Sequence, residues 1–303
     1  MLREFTRRAV LIAGTAAGFA LFLSSSPEAE SRKRNSPQGR KAVRTFHIGN
    51  SLTDTLDGWL APVAESAGKS LDFHRFTIPG APTDWLWDHP GSGFGDTRYI
   101  EAFSALAPID HLFTQPFAGH GREIENEAEY SGRFFAAARK HSPNVQMWLY
   151  VQWPAQDFSD SWARGTGAAT PLKLKPAKTW QEGVSNHLAY TEAVRGRLDS
   201  AQPGKRILVV PGGAALATLK TEMEAGRVPG MKDFFKEVFE DDLHLNPKGR
   251  YLVSLVHYAC IFRENPVGKT SSLAAGLTPE QNRIFQRIAW STVRGYPWAG
   301  VKR

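Results

Sequence analysis

The chain reads as an α/β protein built on a mostly parallel sheet. Two observations carry that reading: short apolar runs alternate with helical patterns along the chain, and the first run stops abruptly at a Gly-Asn-Ser turn. Strands alternating with helices form βαβ units, whose right-handed crossovers lay successive strands parallel. A strand that ends directly in such a turn leaves the turn at the carboxyl edge of the sheet, where open α/β folds bind their ligands. From Thr45 onward there are about 260 residues, enough for one large domain with a sizeable core.

The strand-like runs fall at 45–48, 71–78, 111–114, 145–152 and 206–210. They are short, apolar and bounded by turn residues, as strands buried on both faces are. Helical patterns at 56–67, 123–141, 181–200, 214–224, 247–263 and 279–293 lie between or after them, with Pro247 suited to the first position of its helix. In the 123–141 segment, Glu123, Glu125 and Glu127 complement the helix dipole. Four points fall at carboxyl ends of strands: Ser51, Gly80, Gln115 and the turn after Val151.

Ahead of the domain, residues 1–26 read as a twin-arginine export signal: Arg7 and Arg8 precede the apolar stretch 9–23, which is short for a permanent membrane span. No clear Ala-x-Ala site follows, so an uncleaved anchor is the alternative. Residues 27–44 are polar and basic and read as a disordered linker. Up to Arg44 there are nine Lys/Arg against three Asp/Glu, so nearly all of the formal charge of +7 sits in the leader and linker. The domain itself therefore has no basic footprint for nucleic acid.

Cys260 is the single cysteine, which excludes an intramolecular disulfide, thiol catalysis and a cysteine-based zinc site. It lies in an apolar run and reads as a small buried residue. Metal and cofactors are expected to be absent: His47, His74 and His111 alternate with apolar residues in strands, and His187 and His257 have no partner at metal spacing. Gly91–Gly95 and Gly212-Gly213 lack the remaining residues of a phosphate loop or a dinucleotide fingerprint. His120, in the turn after the third strand, is a weak candidate for the pocket.

The chemistry-bearing stretches lie at the two ends of the domain. Thr45-Phe-His-Ile-Gly-Asn-Ser-Leu-Thr-Asp54 presents Ser51, and Phe239-Glu-Asp-Asp-Leu-His-Leu-Asn-Pro-Lys-Gly249 places Asp241 three residues before His244. Alone, Ser51 could simply cap a helix. A serine hydroxyl becomes a nucleophile when an imidazole takes its proton and a carboxylate orients that imidazole. The Gly-Asn-Ser-Leu start and the Asp-x-x-His end together resemble the SGNH (GDSL-like) hydrolases, over about residues 45–263.

The resemblance implies a three-layer α/β/α sandwich of flavodoxin-like type and a serine esterase. It makes Ser51 the nucleophile, His244 the general base and Asp241 the residue that orients it, with Asp242 fitting the spacing less well. Gly80, in Ile78-Pro-Gly-Ala-Pro-Thr83, matches the glycine whose N–H joins that of Ser51 in the oxyanion hole. At the third block the family shows Gly-x-Asn-Asp, whereas this strand ends at Gln115, expected to supply an oxyanion donor on a longer arm.

Two long stretches rich in tryptophan follow the second and fourth strands, and long loops in a compact α/β domain usually carry function. Trp85, Trp87 and Trp153 are accordingly expected to contact substrate, since an indole face suits a sugar ring; packing of the loops onto the core is the competing reading. Lys173, Lys175 and Lys178 read as a solvated face. The expected activity is removal of an acetyl or similar small acyl group from a carbohydrate, with a small acyl ester or acylated glycan as substrate. An acyltransferase using the same triad and a non-catalytic carbohydrate-binding protein are the alternatives. The protein is expected to be periplasmic or extracellular, with no stable membrane span once mature.

Overall fold

The computed structural model describes residues 42–95, 98–118, 123–166, 172–201, 204, 206–271 and 275–302. The expected export segment, nearly all of the linker and His120 lie outside the described residues. The central sheet contains β1 (Val43–Gly49), β2 (Leu71–Thr77), β3 (Phe94–Gly95), β4 (His111–Thr114), β5 (Gln146–Tyr150) and β6 (Leu208–Val210), in the order β3-β2-β1-β4-β5-β6. All pairings are parallel except that of the edge strand β3 with β2. β1 starts at Val43, two residues before the expected strand and inside the stretch read as linker.

Ten α-helices are seen among the described residues: α1 (Leu60–Ser66), α2 (Thr83–Asp88), α3 (Tyr99–Ala105), α4 (Ile124–Arg139), α5 (Ser161–Arg164), α6 (Trp180–Ala201), α7 (Gly212–Glu224), α8 (Phe234–Val238), α9 (Pro247–Phe262) and α10 (Pro279–Gly295). They cover the sheet on both faces, because side chains of successive strand residues point to opposite sides. Phe46, Ile48, Leu112, Met147, Leu149 and Val209 bury one face with side chains from α2, α3, α4 and α6. Phe113, Trp148, Tyr150, Leu208 and Val210 bury the other with α1, α7, α9 and α10. Three layers result.

Local chemistry sets the helix starts nearest the chemistry. Asn246 caps α9, its side chain accepting from the Lys248 and Gly249 N–H groups at 2.9 and 3.4 Å, with Pro247 at the first helical position. Thr278 and Gln281 form a reciprocal capping box at the start of α10. α9 is buried along nearly its whole length, and Cys260 is part of that buried set.

Between α9 and the sheet lie imidazoles sealed from water. His47 stacks on Phe113 with ring centroids 4.2 Å apart, and His257 meets the edge of Tyr150 at 4.6 Å. Burial, reinforced by His257, His111 and His74, pushes His47 well below the ordinary imidazole value. Burial likewise brings His257 down to about 4, against the opposing pull of its hydrogen bond to Val253 O. His257 binds fewer protons folded than unfolded between about pH 4 and 6.5, so the stability tied to it is complete above that window and drains as pH falls through it, and the lowered His47 acts in the same direction. A shift of that size for His257 is worth on the order of 2 kcal/mol at pH 5. Urea unfolding at pH 5 is therefore expected to give a lower midpoint than at pH 7.5, and the His257→Leu variant should lose part of that pH dependence. Identical midpoints would mean that these rings are not held neutral.

Candidate active site

The strand register brings three turns to one point. Gly49 pairs with Thr77 and Ile48 with Thr114, so β1, β2 and β4 end side by side. The ladder continues into the turns: the Ile78 N–H donates to Gly49 O at 3.1 Å and the Gln115 N–H to Ile48 O at 3.0 Å. The chain leaves β1 for β2 on one side and later returns to β4 on the other. The carboxyl end of β1 is thus the switch point at which open α/β sheets open a crevice.

Ser51 stands two residues beyond β1, in a turn wound by its neighbour. Asn50 accepts the Leu52 N–H on its own side chain at 3.0 Å and the Thr53 N–H on its carbonyl at 2.9 Å. Underneath, the Gln115 amide donates to Asn50 Oδ1 and to Gln152 Oε1, each at 3.0 Å, and accepts from the Thr53 hydroxyl. Because the Leu52 N–H fixes which Asn50 atom is oxygen, it also fixes the Gln115 nitrogen that faces it.

That network corrects one expectation. Both Gln115 Nε2 hydrogens are committed and the residue is 2% exposed, so its amide is not presented to an oxyanion. The extra methylene folds the amide back beneath the serine turn, where it positions Asn50 and Thr53. Gln152, just beyond β5, belongs to the same network; a polar residue closing an apolar strand was the available signal for it.

Gly49 is required by this arrangement. A Cβ built there would lie 2.1 Å from Thr53 Oγ1 and 2.8 Å from Gln115 Oε1. Gly49→Ala is expected to break the Thr53–Gln115 bond, cost about 1–3 kcal/mol of stability and lower turnover at least ten-fold through displacement of Ser51. A variant with parental melting and parental kcat would show that the turn tolerates the shift.

His244 arrives from the other end of the domain. Its Nε2 lies 2.9 Å from Ser51 Oγ and its Nδ1 2.7 Å from Asp241 Oδ2. The other oxygen of Asp241 accepts the N–H groups of Leu243 and His244 at 2.8 and 2.6 Å. Desolvation opposes ionisation of Asp241. It is outweighed by those two N–H groups and by the His244 ring, which hold the carboxyl at about 2.

The loop carrying both residues is clamped on its carbonyls. Trp153 Nε1 donates to Leu243 O at 2.9 Å, Gln156 Nε2 to Asp241 O at 3.0 Å, and the Gln156 N–H to Asp242 O at 2.9 Å. The Phe239–Leu245 bridge and the Glu240 N–H to His244 O bond of 2.9 Å close its base.

Gly80 follows from its own dipeptide. Pro79-Gly80 occupies the centre of a turn closed by the Ala81 N–H to Ile78 O bond at 3.1 Å, with Gly80 at φ 68°. Neither the Ser51 N–H nor the Gly80 N–H donates to a protein acceptor among the described residues. Glu127, read as a dipole partner, is buried instead and ties two flanking loops together: it accepts the Thr83 hydroxyl at 2.8 Å and the Phe117 N–H at 3.0 Å.

The tryptophans divide. Trp153 is 0% exposed and is a clamp on the histidine loop, not a substrate contact. Trp87 packs against Tyr99 and Phe134 at 5.6 and 5.1 Å, so the packing reading holds for it as well. Trp85 is 51% exposed and stacks on His89 at 3.9 Å, leaving one indole face to solvent. Among the described residues no group of three His, Cys, Asp or Glu side chains could hold a metal ion, and no helix is long and apolar enough to cross a membrane.

No family model matches the chain, and no curated protein matches it. In structure it is similar to a DUF4886 family protein from Bacteroides uniformis at 13% identity, with a TM-score of 0.63 over 86% of this chain and 98% of that one. The two share a fold. A member of the lipolytic protein G-D-S-L family from Veillonella parvula is similar at 12% identity, with a TM-score of 0.40 over 72% of this chain and 96% of the other. Est24, a carbohydrate acetylesterase from Sinorhizobium meliloti, is similar at 13% identity and a TM-score of 0.38, over 74% of this chain and 98% of the other.

Proposed function

We propose that the chain is an exported serine esterase that removes an acetyl or another small acyl group from a carbohydrate. The observation that carries the proposal is the continuous relay from Ser51 Oγ through the His244 ring to Asp241, with bonds of 2.9 and 2.7 Å. In that reading His244 Nε2 takes the Ser51 proton as Oγ attacks the acyl carbonyl. The oxyanion that forms accepts hydrogen bonds from the Ser51 and Gly80 N–H groups. Collapse of the tetrahedral adduct breaks the ester C–O bond, and the proton on Nε2 leaves with the alcohol. Water, deprotonated by the same nitrogen, then releases the acid and regenerates Ser51.

The half-exposed position of Asp241 and the partial exposure of His244 leave the site open to water, which supports hydrolysis over transfer to a second alcohol. The free indole face of Trp85, on the helix that follows the Gly80 turn, supports a sugar as the leaving group. Export is supported by the paired Arg7 and Arg8 ahead of an apolar stretch.

The test is p-nitrophenyl acetate against longer acyl esters, followed by acetylated oligosaccharides, with labelling by a serine-directed phosphonate. Saturable cleavage favouring acetate and phosphonate attached at Ser51 are expected. A protein that neither cleaves any ester nor takes the label is a binding protein. Gln115→Ala should lower kcat more than it raises KM, because it frees the turn beneath Ser51 and removes no substrate contact; an unchanged kcat would deny it that positioning role.

A further inference from the structure

We propose that this protein has a second, anion-binding site at the opposite edge of the sheet, which takes a soluble polyanion carrying phosphate, sulfate or carboxylate groups. A cavity of about 690 Å³ opens there beside Gln146 and Leu208, the first residues of β5 and β6. Four cations line it, Arg206, Arg263, Arg294 and Lys302, and no acidic residue does. The active-site turns follow the carboxyl ends of β1, β2 and β4, whereas this cavity lies at the starts of β5 and β6, so the proposal stands independently of the esterase reading.

The four charges lack the partners that basic residues find elsewhere in the domain. Arg44, Arg75, Arg195, Arg227 and Arg250 each meet a carboxylate. None of the four lining cations does so among the described residues. Arg206 donates to Pro297 O at 3.1 Å and lies 5.5 Å from the Trp298 ring, contacts that hold it in place without neutralising it.

Helix ends explain part of the arrangement. Arg263 caps α9 and Arg294 lies in the last turn of α10. Two helix carboxyl ends supply roughly one negative charge between them, against four positive ones. About three remain. Like charges gathered in one concavity repel, and a bound anion is the group that would relieve them.

The backbone adds a second, independent observation. Arg263 sits in the left-handed region at φ 53° and ψ 39°, at a helix-end position where glycine or asparagine is the usual residue. That conformation costs a non-glycine residue free energy, and it carries the guanidinium to the cavity wall. The chain's tail completes the site. The Val209 N–H donates to Trp298 O at 2.9 Å, which lays the segment after α10 along β6 and brings Gly300, Val301 and Lys302 to the rim. At φ 78°, with a Cβ position 2.8 Å from the Leu208 side chain, Gly300 is the residue that lets the tail pass so close.

The volume exceeds that of a bare ion and is of the size that takes a small organic ligand. Trp290 in the wall offers such a ligand an indole to lie against. The ligand chemistry is therefore two or more acidic groups on a ring-sized body.

Titration calorimetry of the full chain with pyrophosphate, at fixed ionic strength, tests the charge requirement. One pyrophosphate per chain is expected. Arg294→Gln, Lys302→Gln and Arg263→Asn, the last keeping a residue that tolerates the left-handed backbone, should each weaken binding at least ten-fold with unchanged melting. Arg197→Gln, on the exposed side of α6, should not weaken it. Binding that is absent, or equal in all variants, overturns the proposal. Vesicles of phosphatidylglycerol provide the second arm: capture by vesicles through these residues without any binding of pyrophosphate would assign the patch to a membrane surface and overturn the soluble ligand. Serine-dependent esterase activity is expected to be unaffected in all four variants.

Discussion

Ser51→Ala is expected to hydrolyse acetyl esters at least about 10⁴-fold more slowly than the parent, and His244→Ala to be as slow. The two side chains perform one act. His244 Nε2, 2.9 Å from Ser51 Oγ, takes the proton whose removal makes the oxygen nucleophilic, so deleting either partner removes the whole step. The double variant should therefore be no slower than either single one, a non-additivity that independent binding contributions would not give. Folding should be little affected. The Ser51 side chain bonds only to His244 among the described residues, whereas the turn that carries it is held by Asn50, Thr53 and Gln115. Rates with purified variants, taken beside their melting curves, decide the matter: a Ser51→Ala protein that retains the parental rate removes Ser51 from the reaction.

The strands that position this site were legible because they are buried on both faces. β1, β4, β5 and β6 are short and mostly apolar, interrupted in β1 and β4 only by single polar residues or a short polar pair, and helix-period patterns separate them. β3 gave no such signal: it is two residues long and both are exposed, so neither periodicity nor apolar content marks it. α2, α3, α5 and α8, four to seven residues each, were hidden for a related reason, since one or two turns do not establish a 3.6-residue period. At the site itself, Asp241 and His244 were readable through the resemblance that their Asp-x-x-His spacing carries, and the structure shows what that spacing does: one carboxylate meets both the ring and the backbone N–H of the same histidine. What Gln115 and Trp153 do was not readable. Residue type tells which groups a side chain can offer, and only the packing tells which are already used: Gln115 spends its donors on Asn50 and Gln152, and Trp153 spends its N–H on Leu243.

Asp241→Asn should lower kcat by about 10⁴ while leaving the loop folded. The substitution separates two tasks that the carboxylate performs at once. One oxygen accepts the Leu243 and His244 N–H groups at 2.8 and 2.6 Å, and an asparagine oxygen can keep both bonds. The other oxygen faces His244 Nδ1 at 2.7 Å, and there asparagine puts an NH₂ group. A donor at that place requires Nδ1 to accept, which moves the ring proton to Nε2. That nitrogen then donates to Ser51 and cannot take its proton. In the parent, Asp241 is ionised above about pH 2. Its depressed value contributes stability above the ordinary carboxylate range, lost only as pH falls through about 2. Since the side chain is 55% exposed, that contribution is small, and the effect of the variant belongs to the tautomer and not to folding. Nitrogen-15 shifts of the His244 ring should show the proton on Nδ1 in the parent and on Nε2 in Asp241→Asn, with unchanged melting. Asp241→Ala should lose the loop bonds as well and melt lower. If Asp242→Asn, and not Asp241→Asn, abolished turnover, the orienting role would pass to the neighbouring acid and the hydrogen bonds of Asp241 would be purely structural.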